Sequence, residues 1–345
     1  MTCRSTCVWL PLMLLGTLFL GAVEQKNDGG GRGFRQIFPD KLNRTLGRSH
    51  SHLVRKTKKR LVRRHRRVTP PAVYLDRPLN PDHFVAALVA DVDSGEVFYG
   101  KNIDQLRPIA SLTKLMLSLV VLDHLESGLC SWDSPIVASR DACRRGGTSL
   151  FLRPGEILTL EDLMSAVLIK SANDAAYAVA EWLGDGDVER CIVEMNRKAA
   201  QLGLADSYFY NPDGLPPLKN QPERENRSSA KDLFVLAREV IRHQEIFRFT
   251  STPRTWLRGG RTEVVTSNRL LLKAYPGMDG LKTGFYQRAG FNFIGTATRG
   301  GRRLITVVLG APSNAERFTQ AASLLNLGFA SLSLEPARFP TIVRR

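Results

Sequence analysis

The chain has 345 residues, 43% hydrophobic and 24% charged, with a formal charge of +16; that balance can bury a sizeable core and excludes global disorder and a multi-span membrane protein. The charge is uneven: residues 24–70 hold 15 Lys/Arg against Glu24, Asp28 and Asp40, and residues 71–345 carry only +3. A domain that grips a phosphate backbone carries its charge on the fold, so nucleic acid is excluded as the partner of the body.

Arg4 precedes an apolar run at residues 7–20, and Gly21-Ala22-Val23 follows it. Residues 1–23 therefore read as an export signal or an N-terminal anchor. The run falls short of the ~20 apolar residues of a spanning helix and is interrupted by Pro11. Lys26, Arg32 and Arg35 follow it, and positive charge there opposes translocation. Residues 24–71 read as a basic disordered linker, because like charges this dense repel. Its role is that of a solvated spacer or of a contact with a membrane surface or an anionic envelope polymer. Of five cysteines, Cys3 and Cys7 lie in the leader. Cys130, Cys143 and Cys191 remain, so at most one disulfide can form and a disulfide-built scaffold is excluded.

The body is expected over residues 72–330, with a C-terminal tail at 331–345. Residues 84–92 read as a buried strand that Asp93-Ser94-Gly95 turns into a second at 96–99. Helical patterns cover 111–126, 160–169, 175–183, 188–202, 231–242 and 315–327, and a second hairpin joins 291–298 to 304–309 through Gly300-Gly301. Strands at both ends with helices between them predict an α+β fold: one antiparallel sheet flanked by helices, with an inserted helical subdomain.

Three motifs carry chemistry. Ser111 opens an apolar helix and Lys114 lies one turn on, on the same face. A serine hydroxyl needs a base to become a nucleophile, and a lysine among apolar neighbours loses its proton readily enough to serve. The helix start also offers N–H groups to a developing oxyanion. A second S-x-x-K, Ser228-Ser229-Ala230-Lys231, reads as a plain helix start. Ser171-Ala172-Asn173 falls in the break between two helices; there Ser171 can relay a proton to a leaving amine and Asn173 can hold a peptide group. Lys282-Thr283-Gly284 precedes the second hairpin on an expected edge strand. There Lys282 and Thr283 suit a carboxylate, and Gly284 lets backbone approach a ligand.

S-x-x-K, S-x-N and K-T-G in this order form the pattern of the penicillin-recognising active-site serine enzymes. The chain resembles, more narrowly, the low-molecular-mass penicillin-binding proteins, the serine D-alanyl-D-alanine carboxypeptidases. The resemblance rests on Ile109 to Met116, Gly147 to Glu156, Ser171 to Ala176, Asn211-Pro212-Asp213-Gly214-Leu215, and Gly280 to Phe285 with Ala289-Gly290, and covers residues 75–330. It implies a penicillin-binding protein and β-lactamase-like transpeptidase fold, an exported enzyme in the periplasm or on the extracytoplasmic face of the membrane, peptidoglycan stem peptides as substrate, β-lactams as inhibitors, and no metal or organic cofactor. It makes Ser111 the nucleophile and Lys114 its base, with the N–H groups of Ser111 and Phe285 as oxyanion donors. Ser171 and Lys282 then protonate the leaving D-alanine, Lys282, Thr283 and Arg317 hold its carboxylate, and Asn173 orients the peptide.

Departures accompany the likeness. Many members continue into a β-rich second domain and an amphipathic anchor, whereas this chain ends at Arg345, which puts any membrane link at the N-terminus. Lys170 stands where an uncharged residue is expected, and residues 216–227 are longer and more charged than expected. An endopeptidase cutting D-alanyl cross-links would use the same residues. A class A β-lactamase is disfavoured, because Ala172 replaces the middle Asp and residues 206–210 offer no deacylating Glu. A non-catalytic wall binder is disfavoured by the intact motifs.

Overall fold

The structure, a computed structural model, describes residues 77–334. The expected leader, the basic linker and the last residues of the tail lie outside them.

Five strands form the central sheet: β1 (Ala86–Asp91), β2 (Val97–Lys101), β3 (Met278–Tyr286), β4 (Gly290–Arg299) and β5 (Arg302–Ala311). Their order is β2-β1-β5-β4-β3 and every pairing is antiparallel. The first strand of the domain is thus closed by the last: Leu88 faces Val307, Val307 faces Ile294, and Ile294 faces Lys282. Strand β1 is buried throughout, and its alternation divides it between two cores. Ala86, Leu88 and Ala90 face a large helical core, while Ala87 and Val89 face a smaller one with Phe318, Ala321, Ala322 and Leu325. The sheet is therefore the middle layer of three, as the sequence pattern predicts.

Six longer helices follow the expected pattern: α1 (Lys114–Glu126), α2 (Leu160–Ser165), α3 (Asn173–Leu183), α4 (Val188–Gln201), α5 (Ala230–Val240) and α6 (Asn314–Leu334). Helix α1 is buried without a break from Lys114 to Leu122 and forms the axis of the helical layer. Ser229 caps α5 by accepting from Asp232 N at 3.2 Å, the plain helix start expected of the second S-x-x-K. Helix α6 runs past its expected end at 327. It continues through Gly328, and Ser331 and Ser333 bond back to the carbonyls of Leu327 and Phe329.

Three small ribbons escaped the sequence pattern: Pro135–Val137 with Ile157–Thr159, Arg254–Leu257 with Thr262–Val265, and Arg107–Pro108 with Arg227–Ser228. Strands this short carry too few residues to display a period of two. Cys130, Cys143 and Cys191 are all free thiols. Among the described residues no helix is long and apolar enough to cross a membrane.

Candidate active site

Ser111 sits in a 3-10 turn, Ala110–Thr113, that feeds directly into α1. Two glycines let backbone close on this turn. A Cβ on Gly214, at φ +77°, would stand 2.1 Å from the Ala110 carbonyl oxygen, and one on Gly284 would stand 2.7 Å from that of Ile109. Only glycine permits either approach. The loop at Asp213 and strand β3 are thereby pressed against the serine from two sides.

Lys114 is wholly buried and its Nζ has three neighbours: Ser111 Oγ at 3.0 Å, Asn173 Oδ1 at 2.7 Å and the Asp213 carbonyl at 2.5 Å. Burial lowers its pKa to about 8, aided by Arg145 and opposed by the charges of Asp213 and Asp174. A neutral amine has two N–H groups and one lone pair. The two carbonyl oxygens can only accept, whereas the serine hydroxyl can donate. The arrangement thus directs the lone pair at Ser111.

The supports are built from buried carboxylates. Arg145 holds the Asp213 carboxylate at 2.7 Å, steadying the loop whose carbonyl meets Lys114. Asp174 accepts from Ser149 Oγ and from the backbone N–H groups of Leu150 and Leu152 at 2.6, 2.8 and 3.1 Å, tying residues 149–152 to the start of α3. Asn173, expected to hold substrate, has both ends of its amide engaged: Oδ1 with Lys114, and Nδ2 with the Gly146 carbonyl at 2.7 Å.

Ser171 follows a π-helical turn, Ala166–Lys170, in left-handed backbone, φ +71°. Its Oγ accepts from Lys282 Nζ at 2.8 Å, so the second and third motifs meet. Burial holds Lys282 well below the ordinary lysine range, and the positive charges of Lys114 and Arg317 push the same way. Next to it, Thr283 donates to Ser267 Oγ at 2.6 Å, and Ser267 N donates to the Ile169 carbonyl at 3.0 Å. Strand β3 lies at the sheet edge as expected. Phe285 on it is half exposed, with its ring stacked on Phe291 at 4.1 Å between centroids.

Arg317 is almost buried, with Nη1 reaching the carbonyls of Gly284 and Asn292 at 3.3 and 3.4 Å and its guanidinium against the ring of Phe318. Burial lowers its pKa to about 10. Its bonds go to the backbone of β3 and β4. Lys170 points its ammonium at the face of Phe151, 5.4 Å from the ring centre.

The structure thus gathers the six residues into two neighbouring groups, Ser111 with Lys114 and Asn173, and Ser171 with Lys282 and Thr283, whose lysines feel one another's charge. Sequence reading assigned no part to Asp213, Arg145, Asp174 or Ser267. Asp213 lies in a quoted motif, but its contact with Lys114 is through a backbone carbonyl, which no residue type announces.

A buried lysine aimed at a serine at a helix start, beside a sheet edge, defines an active-site serine protein of the penicillin-interacting fold. The D-alanyl-D-alanine carboxypeptidase family model matches residues 81–313, and the chain belongs to that family. It is 35% identical over 254 residues to the D-alanyl-D-alanine carboxypeptidase DacF of Bacillus subtilis, a match covering 73% of this chain and 63% of that one. It is 34% identical over 250 residues to DacB2 of Mycobacterium tuberculosis, covering 70% of this chain and 81% of the relative. A penicillin-binding protein of Listeria monocytogenes, solved in its ampicillin-bound form, superposes with a TM-score of 0.65 at 36% identity, covering 72% of this chain and 98% of that one.

Proposed function

We propose that this protein is a serine D-alanyl-D-alanine carboxypeptidase that removes the terminal D-alanine of peptidoglycan stem peptides through a Ser111 acyl-enzyme and is acylated by β-lactams at the same serine. The observation that carries the reading is the environment of Lys114: two carbonyl acceptors and one hydroxyl around a buried amine whose pKa is about 8.

Neutral Lys114 takes the Ser111 proton as Oγ attacks the penultimate D-alanine carbonyl. The oxyanion is held by the N–H groups of Ser111 and Phe285. The C–N bond breaks; Ser171 gives its proton to the leaving nitrogen and regains one from Lys282, whose buried ammonium holds its proton loosely. Water then attacks the ester carbonyl. Its proton restores Lys282, while Lys114 returns its own to Ser111. Thr283 and Lys282 receive the carboxylate of the leaving D-alanine. Arg317 contributes positive charge from behind the strand and fixes the Gly284 carbonyl. Asn173 sets the Lys114 amine through Oδ1, and of its two Nδ2 hydrogens the one not given to Gly146 serves the peptide.

The two acids closest to these residues are both committed, Asp213 to Arg145 and Asp174 to four donors. Neither is free to activate water against a penicilloyl ester, which favours a peptidase over a β-lactamase. The enzyme acts in the periplasm or on the outer face of the membrane, exported by residues 1–23, with residues 24–70 touching anionic lipid or wall polymer; the apolar run and the concentration of basic residues support this.

The test is fluorescent penicillin on the full chain beside Ser111→Ala, followed by D-alanine release from a peptide ending in two D-alanines. Covalent label and D-alanine release by the parent alone are expected. A folded parent that neither labels nor releases D-alanine would overturn the reading.

A further inference from the structure

One cleft beside the site has no part in the chemistry above. It has a volume of about 700 Å³ and is lined by Phe151, Arg153, Lys170, Arg258 and Arg261 around Glu156. Its walls are fastened to the second motif. Lys170 is joined directly to Ser171. The segment bearing Phe151 hangs on Asp174 through the N–H groups of Leu150 and Leu152. The Arg254–Leu257 ribbon leads to Ser267, which bonds the Ile169 carbonyl.

The cations of this cleft differ in what they do. Arg258 is a strut: its Nε and Nη2 meet Glu156 at 2.5 and 2.9 Å, and its other bonds go to the carbonyls of Leu150 and Phe151 at 3.1 and 3.2 Å and to Thr262 Oγ1 at 3.3 Å. Arg258 and Glu156 satisfy one another. Among the described residues Arg153, Lys170 and Arg261 make no ion pair within 4 Å, and Arg153 acts on Glu156 only at longer range. Arg261 spends only its Nε, on the Arg258 carbonyl at 2.9 Å. Phe151, 76% exposed, and Ile157, 62% exposed, stand among them as apolar surface. Three cations without a close carboxylate, beside apolar side chains, match a carboxylate on a short aliphatic stem.

We propose that this cleft is an anion subsite that reads a substrate carboxylate lying outside the two terminal alanines. The inference rests on the proposed peptidase function and narrows it to acidic stem peptides. The same chemistry has two sources: a carboxylated residue just before the alanines, or a carboxylate on the peptide that leaves when a cross-link is cut. A phosphate polymer is the less suited ligand, because it makes no use of Phe151 and Ile157.

Three peptides of equal length test this on the full chain. One has lysine before the two alanines, one has a diamino dicarboxylic acid there, and one carries its extra carboxylate on the leaving side. One of the two acidic peptides is expected to exceed the lysine peptide about tenfold in kcat/KM, the scale of one charge-assisted hydrogen bond, and less so as salt rises. Whichever is preferred identifies the source. Arg153→Ala with Arg261→Ala, both on exposed positions, and separately Lys170→Gln, are expected to bring that ratio close to one. Turnover of the lysine peptide and penicillin acylation stay at parent level. Affinities of the Ser111→Ala chain for the same peptides give the ratio without turnover. Equal treatment of all three peptides by the parent, or a preference that survives the substitutions, overturns the subsite. Inhibition by inorganic polyphosphate that the substitutions abolish, without any carboxylate preference, overturns it in favour of a phosphate-polymer surface. Loss of lysine-peptide hydrolysis and of penicillin labelling in the parent is instead the failure of the peptidase reading, and the affinity ratio then still decides the cleft.

Discussion

The rate at which penicillin acylates Ser111 reports the charge of Lys114, because only the neutral amine can take the serine proton. With a pKa of about 8, each unit of pH below that value cuts the neutral fraction about tenfold, so acylation at pH 6 is expected to run about 100-fold below its plateau above pH 9. The environment predicts which way the midpoint moves. Arg145 lowers the Lys114 pKa directly and also pairs the Asp213 carboxylate, whose charge raises it. Arg145→Ala removes the first effect and releases the second, so both push the midpoint upward. Arg145→Lys retains the charge and is expected to leave the midpoint near that of the parent. Labelling rates with fluorescent penicillin, quenched at intervals from pH 5.5 to 10, give all three profiles. A flat profile between pH 6 and 9 in the parent, or a midpoint that falls in Arg145→Ala, would refute the assignment of Lys114 as the base.

Asn173→Ala strips Lys114 of one acceptor and leaves the Gly146 carbonyl without its donor; acylation is expected to slow by about 100-fold, with about 1–3 kcal/mol of stability lost to the orphaned groups in urea unfolding. Asp174→Ala removes three bonds from residues 149–152 and is expected to cost about 3 kcal/mol, read as a lower urea midpoint. Ser267→Ala frees the Thr283 hydroxyl; a three- to tenfold rise in KM for peptide with kcat held is expected, about the net value of one hydrogen bond. Penicillin label on the parent is expected to persist for many minutes after free drug is removed, since no uncommitted acid adjoins the ester; rapid loss of label with turnover of drug would point to a β-lactamase.

The layered fold was legible because strand alternation and helix period both speak through side-chain type. Residues 84–92 and 304–309 announced β1 and β5, and the strongly apolar stretch around Leu115, Leu117, Leu119, Val120 and Leu122 announced α1. The closeness of Ser111 and Lys114 was legible for the same reason: they lie one helical turn apart, and local spacing survives folding. What brings the rest together is long-range or carried by backbone. Asp213 meets Lys114 across 99 positions through its carbonyl, and Ser267 meets Thr283 from a loop with no periodicity. Asn173 was assigned to substrate because an amide suits a peptide; that it is also a bracket between Lys114 and Gly146 depends on distances that spacing does not encode.

The closing of β1 by β5 has a consequence in time. Ser111 and Lys114, the proposed nucleophile and base, are made early in the chain, while Lys282 belongs to a strand that cannot join the sheet until β5 has entered between β1 and β4. Contacts so distant in sequence form late. A nascent or partly folded chain therefore holds Ser111 with an exposed, fully charged Lys114 and no relay to a leaving group. The proposed relay is thus complete only once the last three strands have joined the first.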